Sequence, residues 1–138
     1  MKILIDTNVI IDAFTDRSPF AKTSGSVLFA VEQGVVTGYV VPNGLIDVYY
    51  HIRHILHSKK KARKYVEVIL NFFRVLDSTE SDCQKAFESG REDFEDAVLM
   101  ETAHRNHIDY IVTRNVKDFS HSPVPVISPA EFLKKVEK

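Results

Sequence analysis

The predicted fold is decided by the opening stretch Lys2-Ile3-Leu4-Ile5-Asp6-Thr7-Asn8. Residues 2–5 form a short, largely apolar run, which is typical of a buried parallel strand. The polar residues 6–8 then supply N-cap chemistry for a helix that we expect to continue to about Phe14. A buried strand that leads directly into a capped helix is the repeating unit of α/β proteins.

The rest of the chain repeats this alternation. Further strands are predicted at residues 37–41, 73–76, 109–113 and 124–127. Helices are predicted at residues 19–33, 44–57, 59–73, 80–90 and 94–107, and after Pro129. Pro125 places the last strand at an edge, because proline cannot donate to a ladder. We therefore expect one α/β domain over residues 1–138, with a central, mostly parallel sheet of four or five strands between helical layers.

Composition narrows the class of protein. With 44% hydrophobic residues and nine Phe, the 138-residue chain can form a core, which excludes intrinsic disorder. Its apolar runs are too short to cross a bilayer, so we expect no membrane association. The lone Cys83 excludes an internal disulfide, favours a reducing, cytoplasmic location, and is expected to be a core thiol.

Charge is segregated along the sequence. The 18 Lys and Arg against 19 Asp and Glu give a formal net charge of −1, which does not indicate a generic basic nucleic-acid binder. However, residues 51–64 hold basic residues and no acid, whereas nine acids lie within residues 77–101. The two patches of opposite sign are more informative than their sum.

The carboxyl ends of the predicted strands collect acids. Ligands of open α/β sheets bind beyond these ends, and the residues that follow the strands there are Asp6, Asn43, Asp47, Arg114, Asn115 and Asp118. Asp96 adds a further carboxylate, because it leads the apolar stripe of the helix at 94–107, where an unpartnered charge is costly. Two such acids about 4 Å apart would repel by roughly 4 kcal/mol at an effective dielectric of about 20, and a divalent cation would remove that cost. Oxygen ligands favour Mg²⁺ or Mn²⁺.

Simpler interpretations stay open for several of these residues. Asp6 is also a suitable N-cap, and Asp47, Asp93 and Glu95 are suitable surface acids that favour a helix dipole. The series His51, His54 and His57 resembles a zinc tract, but its outer members diverge by about 120° on a helix. A solvated basic face is therefore the favoured interpretation of the histidines.

Four segments in order resemble the PIN-domain family of metal-dependent ribonucleases, especially single-domain bacterial toxins of the VapC type. They are ILIDTNV at 3–9, LIDVYY at 45–50, DFEDA at 93–97 and IVTRNVKDF at 111–119. The resemblance implies a three-layer α/β/α fold and three or four acids around one or two Mg²⁺ or Mn²⁺ ions. It also implies an RNA substrate, an antitoxin partner and a homodimer.

The resemblance assigns roles to individual residues. Asp6, Asp47 and Asp96 match the metal-binding acids, although the family usually has Glu at the second position. Asn115 stands where many members have a fourth Asp, and Asp118 follows it. The supporting positions are Thr7 and Asn8, which orient the first acid or touch the metal through water, Asp93 beside the third acid, and Arg114, which would neutralise transition-state charge.

The implied reaction is metal-assisted hydrolysis of RNA phosphodiester bonds. The basic stretch Arg53, Lys59, Lys60, Lys61, Arg63 and Lys64 is the predicted path for RNA phosphates, with a solvated amphipathic helix as an equal alternative. Because Asp47 and Asn115 depart from the family pattern, a weakened module that binds RNA or protein without cutting is a second hypothesis. A third is phosphoryl transfer with Asp6 as nucleophile. It needs either a second acid at residue 8, where this chain has Asn, or an acidic pair near the N-terminus with a Lys after the late strand, where Lys117 is only nearby.

Overall fold

A computed structural model describes residues 1–137 as a five-stranded sheet flanked by helices. The strands are β1 Lys2–Ile5, β2 Thr37–Val40, β3 Arg74–Val75, β4 Tyr110–Val112 and β5 Val126–Ile127. They pair in the order β3-β2-β1-β4-β5, and every pairing is parallel. The opening stretch of the chain therefore forms the central strand, and residues 3–5 are buried, as their apolar character predicts.

The helices follow the predicted positions with shifts of a few residues. They are α1 Thr7–Phe14, α2 Ala21–Glu32, α3 Pro42–Leu56, α4 Lys59–Phe72, α5 Glu80–Glu88, α6 Phe94–Arg105 and α7 Pro129–Val136, and a short 3₁₀ helix spans Val116–Phe119. α3 begins earlier than predicted, because a proline fits the first helical turn. α2 begins later, because the residues before Ala21 form a turn.

The two faces of the sheet belong to separate apolar clusters. Ile3 and Ile5 contribute to a cluster with α1, α2, α3, α4 and α7, whereas Leu4 contributes to one with α6. The alternation of side chains along a strand produces this division. The structure thus confirms the predicted three-layer α/β/α architecture.

Gly38 allows close packing above β2. A Cβ at this position would lie 2.7 Å from Val31 and 2.8 Å from Phe73, which is closer than packed atoms approach. The missing side chain therefore lets α2 and the end of α4 pack directly on the strand. This contact positions β2 and, with it, the start of α3 at the carboxyl edge of the sheet.

Two predictions about side chains are wrong. Cys83 is exposed on α5 and is not a core thiol, since its neighbour Asp82 occupies the buried position instead. The helical spacing of Ala62, Val66, Ile69 and Leu70 predicts that all four lie on the apolar side of α4, but Leu70 is 54% exposed. Among residues 1–137, no helix has the length and apolar character needed to cross a membrane.

Candidate active site

Asp6 is held at the carboxyl end of β1 by partners from the end of β4 and from the start of α1. Its backbone N–H donates to the carbonyl of Val112 at 3.0 Å. The N–H of Thr7 donates to its Oδ1 at 2.8 Å, while the Thr113 hydroxyl and the Asn8 amide donate to Oδ2 at 2.8 and 3.3 Å. Asp6 is the N-cap of α1, as the simpler interpretation proposed, but the contact with Thr113 reaches beyond its own helix.

The surroundings of Asp6 oppose its ionisation overall. Burial raises the pKa of the Asp6 carboxyl, and the negative charge of Asp93 adds to that effect. The hydrogen bonds from Thr113 and Thr7 and the charge of Arg114 act in the opposite direction without cancelling it. A positive charge placed beside Asp6 would therefore be stabilised.

Asp96 reaches the same region from the first turn of α6. Its backbone N–H donates to Oδ1 of Asp93, the N-cap, at 2.9 Å. Burial raises the pKa of Asp96 to about 7, with further contributions from the charges of Asp93, Asp6, Glu95 and Asp118. Asp6 and Asp96, two of the acids predicted to converge, therefore lie close enough to repel each other.

Glu95 is exposed, as its interpretation as a surface acid implies, and it also lines the cavity that Asp6 and Asp96 share. Burial raises its pKa, followed by the charges of Asp47, Asp93 and Asp6. The sequence signal that could have indicated this placement of Glu95 is its position next to Asp96 on the first turn of α6. Since residues 95 and 96 are about 100° apart on a helix, periodicity alone does not place both side chains in one cleft.

The predicted site residues share one cleft of about 460 Å³. Its walls include all of the predicted catalytic and supporting residues, namely Asp6, Thr7, Asn8, Asp47, Asp93, Asp96, Arg114, Asn115 and Asp118. Asp12, Arg17, Glu95 and His51 also line it. We call this cavity the acidic cleft, because six Asp and Glu residues beyond the buried Asp12 face it.

The donor chemistry of the acidic cleft suits a hard divalent cation. Carboxylate, amide and hydroxyl oxygens dominate, and a bound cation would offset the burial and the repulsion that together raise the pKa of Asp96. Within residues 1–137, no group of three or more His, Cys, Asp or Glu side chains is arranged to hold a metal ion, the histidine series included. Mg²⁺ retains several of its waters and needs only one or two carboxylates from the protein. The carboxylates of the acidic cleft therefore fit a partly hydrated ion.

Arg114 is anchored by a buried acid that the sequence analysis did not single out. Its Nε lies 3.1 Å from Oδ2 of Asp12, which is completely buried, and its guanidinium lies 4.3 Å above the ring of Phe20. The Arg114 side chain is 24% exposed and reaches the acidic cleft. The sequence signal for this contact was Asp12 itself, an acid within the apolar run of α1. A charge among apolar residues needs a partner of opposite charge.

The basic stretch lies elsewhere on the surface. Lys60, Lys61, Arg63 and Lys64 line a groove on α4 that shares no residue with the acidic cleft. Lys59 is exposed at the start of α4, and Arg53 is half-buried on α3. The path from this groove to the acids stays a prediction.

Sequence comparison decides the family. Residues 2–117 match the sequence profile of the PIN domain. The chain belongs to the PIN-domain family. Comparison with curated protein sequences gave no match for this PIN domain.

Solved structures share the fold of this PIN domain. VapBC2 from Rickettsia felis, bound to a promoter DNA fragment, is 16% identical with a TM-score of 0.65, covering 93% of this chain and 98% of that one. A toxin–antitoxin complex from Klebsiella pneumoniae is 21% identical with a TM-score of 0.69, covering 92% and 97%. VapC20 of Mycobacterium tuberculosis, a toxin that cleaves the sarcin–ricin loop, is 13% identical with a TM-score of 0.63, covering 79% and 86%.

Proposed function

We propose that this PIN domain is a Mg²⁺- or Mn²⁺-dependent endoribonuclease. The observation that carries the proposal is the convergence of Asp6, Asp47 and Asp96 from three separate elements on one cleft. A fold gains no stability from repelling carboxylates, so their convergence is best explained by a bound cation. Membership of the PIN-domain family supports the same activity.

The acids and the amide of the cleft would bind the metal ions. Asp6 and Asp96 would hold the first cation, with Asp47 bound directly or through water. Asn115 and Asp118 would face a second ion that arrives with the substrate. When bound, such an ion lowers the pKa of a coordinated water and so supplies the attacking hydroxide.

The remaining polar residues position these groups. Thr113, Thr7 and Asn8 fix the orientation of the Asp6 carboxylate through hydrogen bonds. Arg114, held by Asp12, would bind a phosphate oxygen and neutralise charge as the bond to the leaving group breaks.

The biological setting that we propose is a toxin–antitoxin pair. Structural neighbours with the same fold include complexes with antitoxins, which supports a small antitoxin partner for this chain. We expect a homodimer that acts on RNA in the cytoplasm, by analogy with the family. A small antitoxin-like reading frame beside the gene would support the toxin assignment.

Cleavage of single-stranded RNA in Mn²⁺ tests the nuclease proposal. Asp6→Asn and Asp96→Asn are expected to lose activity while keeping their circular dichroism spectra. Asp109→Asn is the matched control, because Asp109 accepts from the N–H of Lys2 at the opposite edge of the sheet. Wild-type cleavage rates in either Asp6→Asn or Asp96→Asn would overturn the assignment.

Calorimetric titration with Mn²⁺ separates an enzyme from a binding module. A nuclease should bind Mn²⁺ in a way that depends on Asp96. A module that has lost activity through Asp47 and Asn115 should bind little Mn²⁺ and should bind RNA equally well with a chelator present.

A further inference from the structure

A second cavity of about 500 Å³ adjoins the acidic cleft. It lies between the start of α3, the segment around α5 and the first turns of α6, and we call it the α6 pocket. Asp6, Thr7, Glu95 and Asp96 line both cavities, so the two lie side by side. A substrate phosphate at the acids would thus have an adjoining space for the neighbouring part of its nucleotide.

The α6 pocket differs from the acidic cleft in chemistry. Beyond the shared acids, its walls are mainly apolar and include Val41, Pro42, Phe94, Val98 and Leu99. None of its lining residues, all within the described part of the chain, is Lys, Arg or His. The pocket therefore suits an uncharged group and offers nothing to attract a second phosphate.

Phe94 gives the pocket an exposed aromatic wall. Phe94 is the first residue of α6 and lies directly between Asp93 and Glu95 in the sequence. Its side chain is 52% exposed. A half-exposed phenyl ring next to the proposed phosphate-cleaving site has the character of a stacking platform for a base. The pocket also has uncharged polar groups that can form hydrogen bonds with the edge of a planar base, namely those of Asn43, Ser78 and Cys83.

We propose that the α6 pocket binds one nucleobase of the RNA, next to the phosphate that is cut. This inference rests on the proposed nuclease function and extends it, because it assigns the residues that choose the base. Phe94 would stack on the ring, and Asn43 and Ser78 would read its edge. Ser78 is already oriented, since its hydroxyl lies 2.9 Å from that of Thr102.

Cys83 provides a probe of pocket occupancy that needs no catalysis. It is the only cysteine of the chain, it is exposed, and it lines the pocket. Initial rates of its alkylation by a maleimide, measured in Mg²⁺, should fall when a short single-stranded RNA of random sequence is added. A chain of abasic ribose phosphates of equal length carries the same charge and should leave the rate unchanged.

Fluorescence anisotropy under the same conditions reports whether the RNA is bound. If RNA saturates the protein without slowing alkylation, or if the abasic chain protects equally, the base pocket is wrong while the nuclease proposal survives. If RNA does not bind at all, both proposals fail. Protection by a protein partner instead of RNA would assign the pocket to that partner and would also overturn the inference.

Substitution of Phe94 supplies an independent test. Phe94→Ala should raise the RNA concentration needed to protect Cys83 by about tenfold, and Phe94→Tyr should restore wild-type protection. Phe29→Ala is the matched control, because Phe29 is 59% exposed on α2 and lines neither cavity. Equal protection in Phe94→Ala and wild type would contradict the proposed stacking.

Discussion

The hydroxyl of Thr113 donates a 2.8 Å hydrogen bond to Oδ2 of Asp6, joining the end of β4 to the end of β1. Thr113 is completely buried, so this bond is protected from competing water. It favours the ionised form of Asp6 and lowers a pKa that burial raises. The first acid of the site is thus oriented by a neighbouring strand as well as by its own helix.

Replacing Thr113 by Val should impair cleavage through Asp6. Without the donor, the pKa of Asp6 rises further, so the acidic limb of the rate profile should move to higher pH. Stability should fall by about 1 kcal/mol. Thr102→Val is the matched control, because Thr102 is also buried and donates to Asp82 at 3.3 Å. An unchanged pH profile in Thr113→Val would contradict this role.

Asp96→Asn should stabilise the metal-free protein at high pH. Because burial and neighbouring acids raise its folded pKa to about 7 from 3.8, the wild type loses stability as pH rises between these values. Above pH 7 the variant should gain about 2 kcal/mol, less than the full shift implies because solvent screens the half-buried side chain. Thermal denaturation in chelator measures the gain.

At pH 4 the melting temperatures of Asp96→Asn and wild type should nearly coincide. Asp109→Asn, at the opposite edge of the sheet, is expected to lack the gain at high pH. Adding Mn²⁺ at pH 8 should stabilise the wild type more than Asp96→Asn. A melting temperature of Asp96→Asn below that of wild type at pH 8 in chelator would refute the proposed cost of burying the Asp96 charge among other acids.

Asp12 and Arg114 should behave as one energetic unit. Arg114→Ala should cost about 3 kcal/mol, because it leaves the completely buried Asp12 carboxylate without its partner. Adding Asp12→Asn should recover part of that loss, since the buried charge is removed. Urea denaturation of both single variants and the double variant measures the coupling. Additive losses would contradict it, and Asp12→Asn with Thr102→Val provides a pair expected to be additive.

The basic stretch predicts a salt dependence of RNA binding. If Lys59, Lys60 and Lys61 contact phosphates, replacing all three by Ala should reduce the slope of log affinity against log salt by about 2, at about 0.7 per contact. The control replaces Lys22, Lys134 and Lys135, which are exposed on α2 and α7. If the slope equals that of the control variant, these lysines do not contact RNA phosphates, and the basic stretch is only a solvated helix face.

Local periodicity was enough to predict the layers of the fold. The apolar run at residues 2–5 formed the central strand, and every predicted strand and helix exists with shifted ends. Helix ends are less predictable because capping and turn contacts of single residues decide them. The position of Asp96 ahead of an apolar stripe likewise indicated a carboxylate directed into the protein.

The sequence by itself thus determined the alternation of strands and helices and the acids that end up at one edge. Only the tertiary structure decided which neighbours these acids have. Glu95 lines the acidic cleft, Asp12 forms an ion pair with Arg114, and Cys83 is exposed beside the α6 pocket. Hydrophobic periodicity is a property of one segment, whereas these contacts depend on how separate elements pack, and no single segment encodes that geometry.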